Sequence, residues 1–338
     1  AVPTRVIGQE QMPEWARDIV WDCRSPTDCR PVRPSDRSTA FPGGRQLRRD
    51  RVRAVAAAIG WHDQDIIDQV GEGGVEIRSD CEMATVLVFH HASLVQELDA
   101  ATSTVNAHLE EGWVAPPTRT LPFVPCRLQP RGIIMQARTR LAPDGSIEEY
   151  MKPRVTTDGS FGGPDSMNAG VGGHERAVEL ASVQSLGVGW AVCQSAADGD
   201  DAPEELATDG YCVDAESAYS FCPIQEADLW LQGFVWWDAH GRCGVAIDRR
   251  MGFGGSFAPN RYQRVSLFVA AYAQHLQAAF DAERPPHAAV ARWSADRRAR
   301  QERGELPGGD AQLAPRYLQA YIDDLTGAGL NDRVRAPA

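Results

Sequence analysis

The sequence predicts an α+β fold, with a small antiparallel sheet backed by helices. Three observations predict it. Helical patterns come first, over residues 46–59 and 82–112. Strand pairs with turn signals follow, at 132–155 and around 233–247. A long helix then begins at Pro259, with apolar residues recurring every three or four positions.

Residues 1–44 are rich in Pro, Arg, Ser and Asp without sustained periodicity, and read as an irregular leader. Residues 45–115 read as a helical region. Within it QLRRDRVRAVAAAI (46–59) is a helix that is polar first and apolar later. EMATVLVFHHASLVQELDAATSTVNAHLEEG (82–112) has no Pro or Gly before its end and reads as one longer helix holding His90 and His91. Adjacent residues on a helix point about 100° apart, so these imidazoles are not expected to share a ligand.

The pattern then changes to strands. GIIMQAR (132–138), a Pro143-Asp144-Gly145 turn and IEEYMKPRV (147–155) read as a β-hairpin. Alternation puts Arg138 and Arg140 on one side of the first arm, and Lys152 and Arg154 on one side of the second. From the residues alone, a clamp for a polyanion and a solvent-facing hairpin are equally good readings. The Gly- and Ser-rich 156–173 is loop, and the acidic 196–210 is a second loop or an insertion. YCVDAESAY (211–219) begins as a short apolar strand ending in Asp214. It leads to Trp230, Trp236 and Trp237 and the strand pair around 233–247. MGFGGSFAP (251–259) is a Gly-rich turn with Pro259 set to start a helix, whose buried face is Val265, Phe268, Val269, Tyr272, Leu276 and Phe280. Residues 282–314 lose that pattern and read as an inserted surface segment. RYLQAYIDD (316–324) rises as a strand to Asp323-Asp324 and a Thr-Gly turn.

Composition bounds the function. With 338 residues, 43% apolar and 24% charged, the chain reads as an ordinary globular protein able to bury a substantial core. Its longest apolar runs, MATVLVF (83–89) and LFVAAYA (267–273), are far below the ~20 residues of a membrane span. No secretory signal opens the chain, so an intracellular location and no membrane partner are expected. The first residue is Ala1 rather than Met, which suggests a fragment or a processed product. Eight cysteines are scattered without a Cys-x-x-Cys pair; Cys23 and Cys29 are the only close two, and reduced thiols are expected. A net charge of −12 argues against coating nucleic acid by bulk electrostatics. The charge is segregated, however, with acid in 198–209 and base in 45–53, 127–154 and 292–303.

Phosphoryl transfer with two divalent cations needs carboxylates converging from different strands, a basic grip on a triphosphate and a loop at the base. A strand ending in Asp214 and a turn carrying Asp323 and Asp324 can supply the carboxylates. Four segments stand in order: KPRVTTDGSFGGPDSMNAGV (152–171), DAESAYSFCPIQ (214–225), GFGGSFAPNRYQRV (252–265) and YIDD (321–324). Over roughly residues 120–330 the chain thereby resembles reverse transcriptases, particularly those of retrotransposons.

The resemblance implies a polymerase right-hand fold, with fingers and palm over 116–333 and insertions near 196–210 and 282–314. It makes Asp214, Asp323 and Asp324 the catalytic carboxylates. They would hold two Mg²⁺ ions, with Mn²⁺ as the alternative, helped by the backbone carbonyl of Ala215. Tyr219 would exclude a ribose 2′-hydroxyl. Arg154 and Lys152, with Arg138 or Arg140, would neutralise the incoming triphosphate, and Phe253 and Gly254 would line the nucleotide and template pocket. The implied partners are an RNA or DNA template, a primer strand and a dNTP. Met251-Gly252 departs from the Leu-Pro pair frequent in the family. Asp214 and Asp323 are 109 residues apart, a longer separation than usual that fits the 282–314 insertion. Fourteen residues follow Asp324, so the family's primer grip, thumb and ribonuclease H domain are expected to be absent from this chain. That short end favours a second reading, a catalytically silent relic acting at most as a nucleic-acid-binding module. A third, an RNA-dependent RNA polymerase, is disfavoured by the aromatic Tyr219.

Overall fold

A computed structural model describes residues 4–6, 49–178, 180–198, 206–215, 217–238, 240–283, 286–306, 315–322 and 324–330. Most of the leader with Cys23 and Cys29, the acidic stretch 199–205 and the catalytic candidate Asp323 lie outside the described residues. In chain order the elements are β1 (Thr4–Val6), α1 (Arg49–Ala58), α2 (Gln64–Asp68), β2 (Thr85–Leu87), α3 (Ala92–Gln96), α4 (Leu98–Glu110), β3 (Val114–Thr118), β4 (Arg131–Leu141) and β5 (Ile147–Thr157). Then come α5 (Met167–Gly170), α6 (Gly173–Arg176), α7 (Val183–Ala197), β6 (Thr208–Asp214), β7 (Gly233–Trp237), β8 (Cys243–Asp248), α8 (Ala258–Glu283), α9 (Ala288–Glu302), β9 (Arg316–Tyr321) and β10 (Asp324–Leu330). Helices thus accompany small antiparallel sheets, with strand orders β6-β10-β9, β3-β8-β7 and β4-β5, and β1 pairs β2 in parallel. Among the described residues no helix is long and apolar enough to cross a membrane. The chain divides into two compact units: Ala1–Val52, Asp65–Ala177 and Tyr219–Asn260 form one, and Arg53–Gln64, Val178–Ala218 and Arg261–Ala338 the other.

In the first unit, β7 and β8 are apolar at nearly every position because both faces of their sheet are covered. Val235, Cys243, Val245 and Ile247 pack with Leu87, Leu121, Cys126 and Leu128 on one face. Phe234, Trp236 and Ala246 pack with Leu94, Ala101, Val105 and Ile133 on the other. The single helix expected over 82–112 is instead a strand followed by two helices. Residues 84–88 are all buried, rather than buried on one stripe, and the Thr and Val among them favour extended backbone. The helix starts only after His91, which is extended at φ −65° and ψ 152°, and breaks again at Glu97.

The two histidines therefore lie outside the helix and have separate partners. His90 Nε2 donates to the Val235 carbonyl at 2.6 Å, while its Nδ1 accepts from the Arg131 N–H at 3.1 Å. Burial pushes His90 down to about 4, which keeps the ring neutral at pH 7, as one donor and one acceptor require. His91 pairs with Asp158 at 3.1 Å.

The expected hairpin is present, with eleven residues in each arm. Its turn is closed by the Gly145 N–H donating to the Ala142 carbonyl, and by Asp144, whose carboxylate accepts from the Ser146 N–H at 2.9 Å. The base is anchored: the Arg131 guanidinium donates to Asp248 at 2.7 Å and lies 3.4 Å over the Phe234 ring. Farther out, Leu141 and Ile147 at the tip are each 75% exposed.

In the second unit, α7 packs against β10 and β9. Gly189 sits against the Tyr317 ring and Gly210 against Trp190, at distances that leave no room for a Cβ. Within 282–314, the segment read as a surface insertion, the described residues include α9. Its Val290 joins Ala196, Leu206 and Leu330 in a core cluster, and its Trp293 Nε1 donates to Ser195 Oγ at 3.2 Å. α8 departs from the predicted stripe: Val265 and Phe268 are buried, while Val269 and Leu276 are exposed. The helix is covered on more than one side near its start, at Tyr262, Gln263, Val265, Ser266 and Phe268, and stands exposed farther along. Polar links tie it to β9, from Gln263 to the Ala320 carbonyl, Gln274 to the Leu318 carbonyl and Asp281 to Arg316.

Candidate active site

The predicted site residues form two groups, one in each unit. In the second unit, β6 ends at Asp214 and β10 begins at Asp324, and the antiparallel register sets these two directly opposite. Residues paired in this way have Cα atoms about 4.5–5.5 Å apart and side chains on one face. The Cys212 thiol marks that face, lying 3.9 Å from Asp324 Oδ1. Desolvation, then the negative charge of Asp324 and Asp214, push the thiol up. At neutral pH it therefore stays protonated beside two carboxylates. Asp214 is exposed and Asp324 half-buried. Ala215, the proposed carbonyl ligand, follows β6 directly.

The turn entering β10 is strained. Tyr321 pairs with Asp324, and Ile322 follows Tyr321 directly in the short link between β9 and β10. Ile322 has φ +52°, a left-handed conformation that costs a β-branched residue about 1–3 kcal/mol. Two side chains of α8 hold it there. Gln263 Oε1 accepts from the Ile322 N–H at 2.6 Å, Gln263 Nε2 donates to the Ala320 carbonyl at 3.2 Å, and Ser266 Oγ donates to the Ile322 carbonyl. The sequence reading gave Gln263 and Ser266 no role. Their one signal is two polar residues three apart near the start of a helix, beside the apolar Tyr262, Val265 and Phe268.

The first unit holds the other group. Arg154 in β5 sits over the Phe253 ring at 5.8 Å, and Phe253 packs against Tyr219 with ring centres 5.0 Å apart. Three predicted nucleotide-site residues, distant in the chain, thus meet in one cluster, with the two rings tilted at 58°. Phe253 is 44% exposed and offers a free aromatic surface. Gly254 is fixed by close approach: at φ +113°, a Cβ there would lie 1.5 Å from the Thr157 carbonyl oxygen. Asn168 completes the clamp. Its Nδ2 donates to the Gly254 carbonyl and its Oδ1 accepts from the Ser256 N–H, both at 2.8 Å.

The hairpin register places Lys152 opposite Gln136, Arg154 opposite Ile134, and Arg138 and Arg140 opposite Tyr150 and Glu148. All four cations consequently share one face. They are not equivalent. At about 3.4 Å per residue, Arg138 and Arg140 lie about 14 and 20 Å along the arm from the level of Arg154. Arg140 is also paired with Glu148 at 2.8 Å. The structure therefore brings Arg154, with Lys152 two residues away, to the aromatic pair, and leaves Arg138 and Arg140 toward the tip. At the hairpin base an open cleft of about 470 Å³ is lined by His91, Ser93, Gly132, Thr157, Asp158 and Gly254, among others.

Two facing carboxylates are hard oxygen donors, the type that Mg²⁺ and Mn²⁺ take. Among the described residues no group of three or more His, Cys, Asp or Glu side chains converges, and Asp323 is not among them. The donor set that can be read, Asp214 and Asp324, fits a divalent cation. No protein-family model matches the chain, and no curated protein matches it.

Proposed function

We propose that the chain is the fingers-palm portion of a retrotransposon-type reverse transcriptase, with a polymerase right-hand fold, adding deoxynucleotides to a primer as an RNA or DNA template directs. The observation that carries the proposal is the pairing of Asp214 with Asp324 at the mouth of a two-residue turn. The meeting of Arg154, Phe253 and Tyr219 supports it separately.

Asp214 and Asp324, with Asp323 and the Ala215 carbonyl, would hold two Mg²⁺ ions. Bound there, the ions would lower the pKa of the primer 3′-hydroxyl and neutralise charge on the leaving pyrophosphate. Arg154 and Lys152 would bind the triphosphate through charge-assisted hydrogen bonds. Phe253 would offer its ring to the nucleotide, and Tyr219, packed against that ring, would close off the space a 2′-hydroxyl needs. Asn168 and Gly254 keep the turn tight against Thr157, so that the aromatic pair holds its place.

The test is dNTP binding in the presence of Mg²⁺, followed by the intrinsic fluorescence of the intact chain. Arg154→Ala is expected to weaken binding about tenfold. Arg140→Ala, distal on the same face and already paired, is expected to change it less than about twofold. Equal losses in both variants, or none in Arg154→Ala, would remove the proposed triphosphate grip.

A further inference from the structure

We infer that Gln263 and Ser266 are positioning residues: they clamp the left-handed backbone of Ile322 and so set Asp324 opposite Asp214, an inference that rests on the polymerase reading of those carboxylates. The connection between β9 and β10 has only two residues, which leaves little slack for error in its backbone angles. At φ +52° Ile322 is on the unfavourable side of the backbone map. Left to itself, such a turn relaxes toward negative φ. The chain direction after it then changes, and the first pair of the β6–β10 ladder, Asp214 with Asp324, is the nearest to suffer.

The clamp opposes that relaxation at every available group. The Ile322 N–H and C=O are both engaged, and the same Gln263 carboxamide also binds the Ala320 carbonyl on the near side of the turn. Accepting on one side and donating on the other at that reach is what a carboxamide can do. A Glu at 263 would accept but not donate, and a Met would do neither. Gln263 and Ser266 are only 3% and 6% exposed, in a flank where an apolar side chain would pack without a desolvation cost. Their polar atoms are spent on the turn.

A merely packing role for Gln263 is separable from a positioning role by rescue. Glycine adopts positive φ without penalty, so Ile322→Gly removes the need for the clamp. Two quantities are measured on the intact chain: Mn²⁺ affinity by electron paramagnetic resonance, and hydrogen exchange of the residue-322 amide. Gln263→Met and Ser266→Ala are each expected to speed that exchange about tenfold and to weaken Mn²⁺ binding about fivefold. Adding Ile322→Gly to Gln263→Met is expected to return Mn²⁺ affinity to within about twofold of wild type. Ser266→Ala carries the test if Gln263→Met fails to fold. Should both clamp variants keep wild-type Mn²⁺ affinity while Asp324→Asn loses it, positioning is overturned and the carboxylate reading stands. Mn²⁺ binding that survives both Asp214→Asn and Asp324→Asn would defeat the polymerase reading, and this inference with it.

Discussion

Lowering the pH from 7.5 to 5 should loosen the first unit through one residue, His90. Its ring joins three parts of the chain: its own extended segment ahead of α3, β7 through the Val235 carbonyl and the hairpin base through the Arg131 N–H. Burial is the main reason its folded pKa is lowered from 6.5 to about 4, and the Arg131 charge adds to it. The unfolded chain therefore binds the proton more readily than the folded one. The stabilisation is complete above pH 6.5 and is lost as pH falls from there toward 4, below which no more is lost. For a shift of that size the loss is about 2 kcal/mol at pH 5 and about 3 kcal/mol at its limit. Urea unfolding at several pH values checks it, with His90→Gln beside wild type to subtract the carboxylates that titrate in the same range. Wild type should lose about 2 kcal/mol more than the variant between pH 7.5 and 5. Parallel pH profiles in the two proteins would refute the neutral, doubly bonded ring.

Other perturbations test the scaffold around the site. Gly254→Ala sets a Cβ against the Thr157 carbonyl at an unfavourable φ, and should cost about 3 kcal/mol or more, read as a fall in melting temperature. Asp248→Asn leaves the Arg131 guanidinium buried without its counter-charge and should destabilise by about 3–5 kcal/mol in urea, whereas adding Arg131→Met should recover much of the loss. Phe253→Ala removes the platform shared by Arg154 and Tyr219, and should weaken dNTP binding about three- to tenfold. Tyr219→Ala should raise the use of ribonucleotides relative to deoxynucleotides, measured by competitive incorporation.

Local features were legible in the residues alone. Pro143-Asp144-Gly145 between two alternating runs announces a hairpin, and Pro259 after a Gly-rich run announces the start of α8. Helix and strand are not distinguishable at 85–87, because the run 84–88, buried at every position, carries no period to separate them. The stripe on α8 was misjudged at Val269 and Leu276 for the converse reason: apolar spacing shows that a face exists, but not how far along the helix a partner covers it. Pairing between distant strands was the least legible. Nothing in YCVD or YIDDLTG says that Asp214 will face Asp324, since that register follows from the whole β6–β10 ladder. The same holds for the four hairpin cations: alternation placed them in pairs on each arm, and only the register set both pairs on one face, with Arg140 far from Arg154.

The central claim is that Asp214 and Asp324 are two carboxylates of one metal-dependent active site. Primer extension on an RNA template with Mg²⁺ and dNTPs tests it most directly, comparing the wild-type chain with Asp214→Asn and Asp324→Asn. Wild type should extend the primer at least about 100-fold faster than either variant. Equal rates in the three proteins, or extension by none of them, would contradict it.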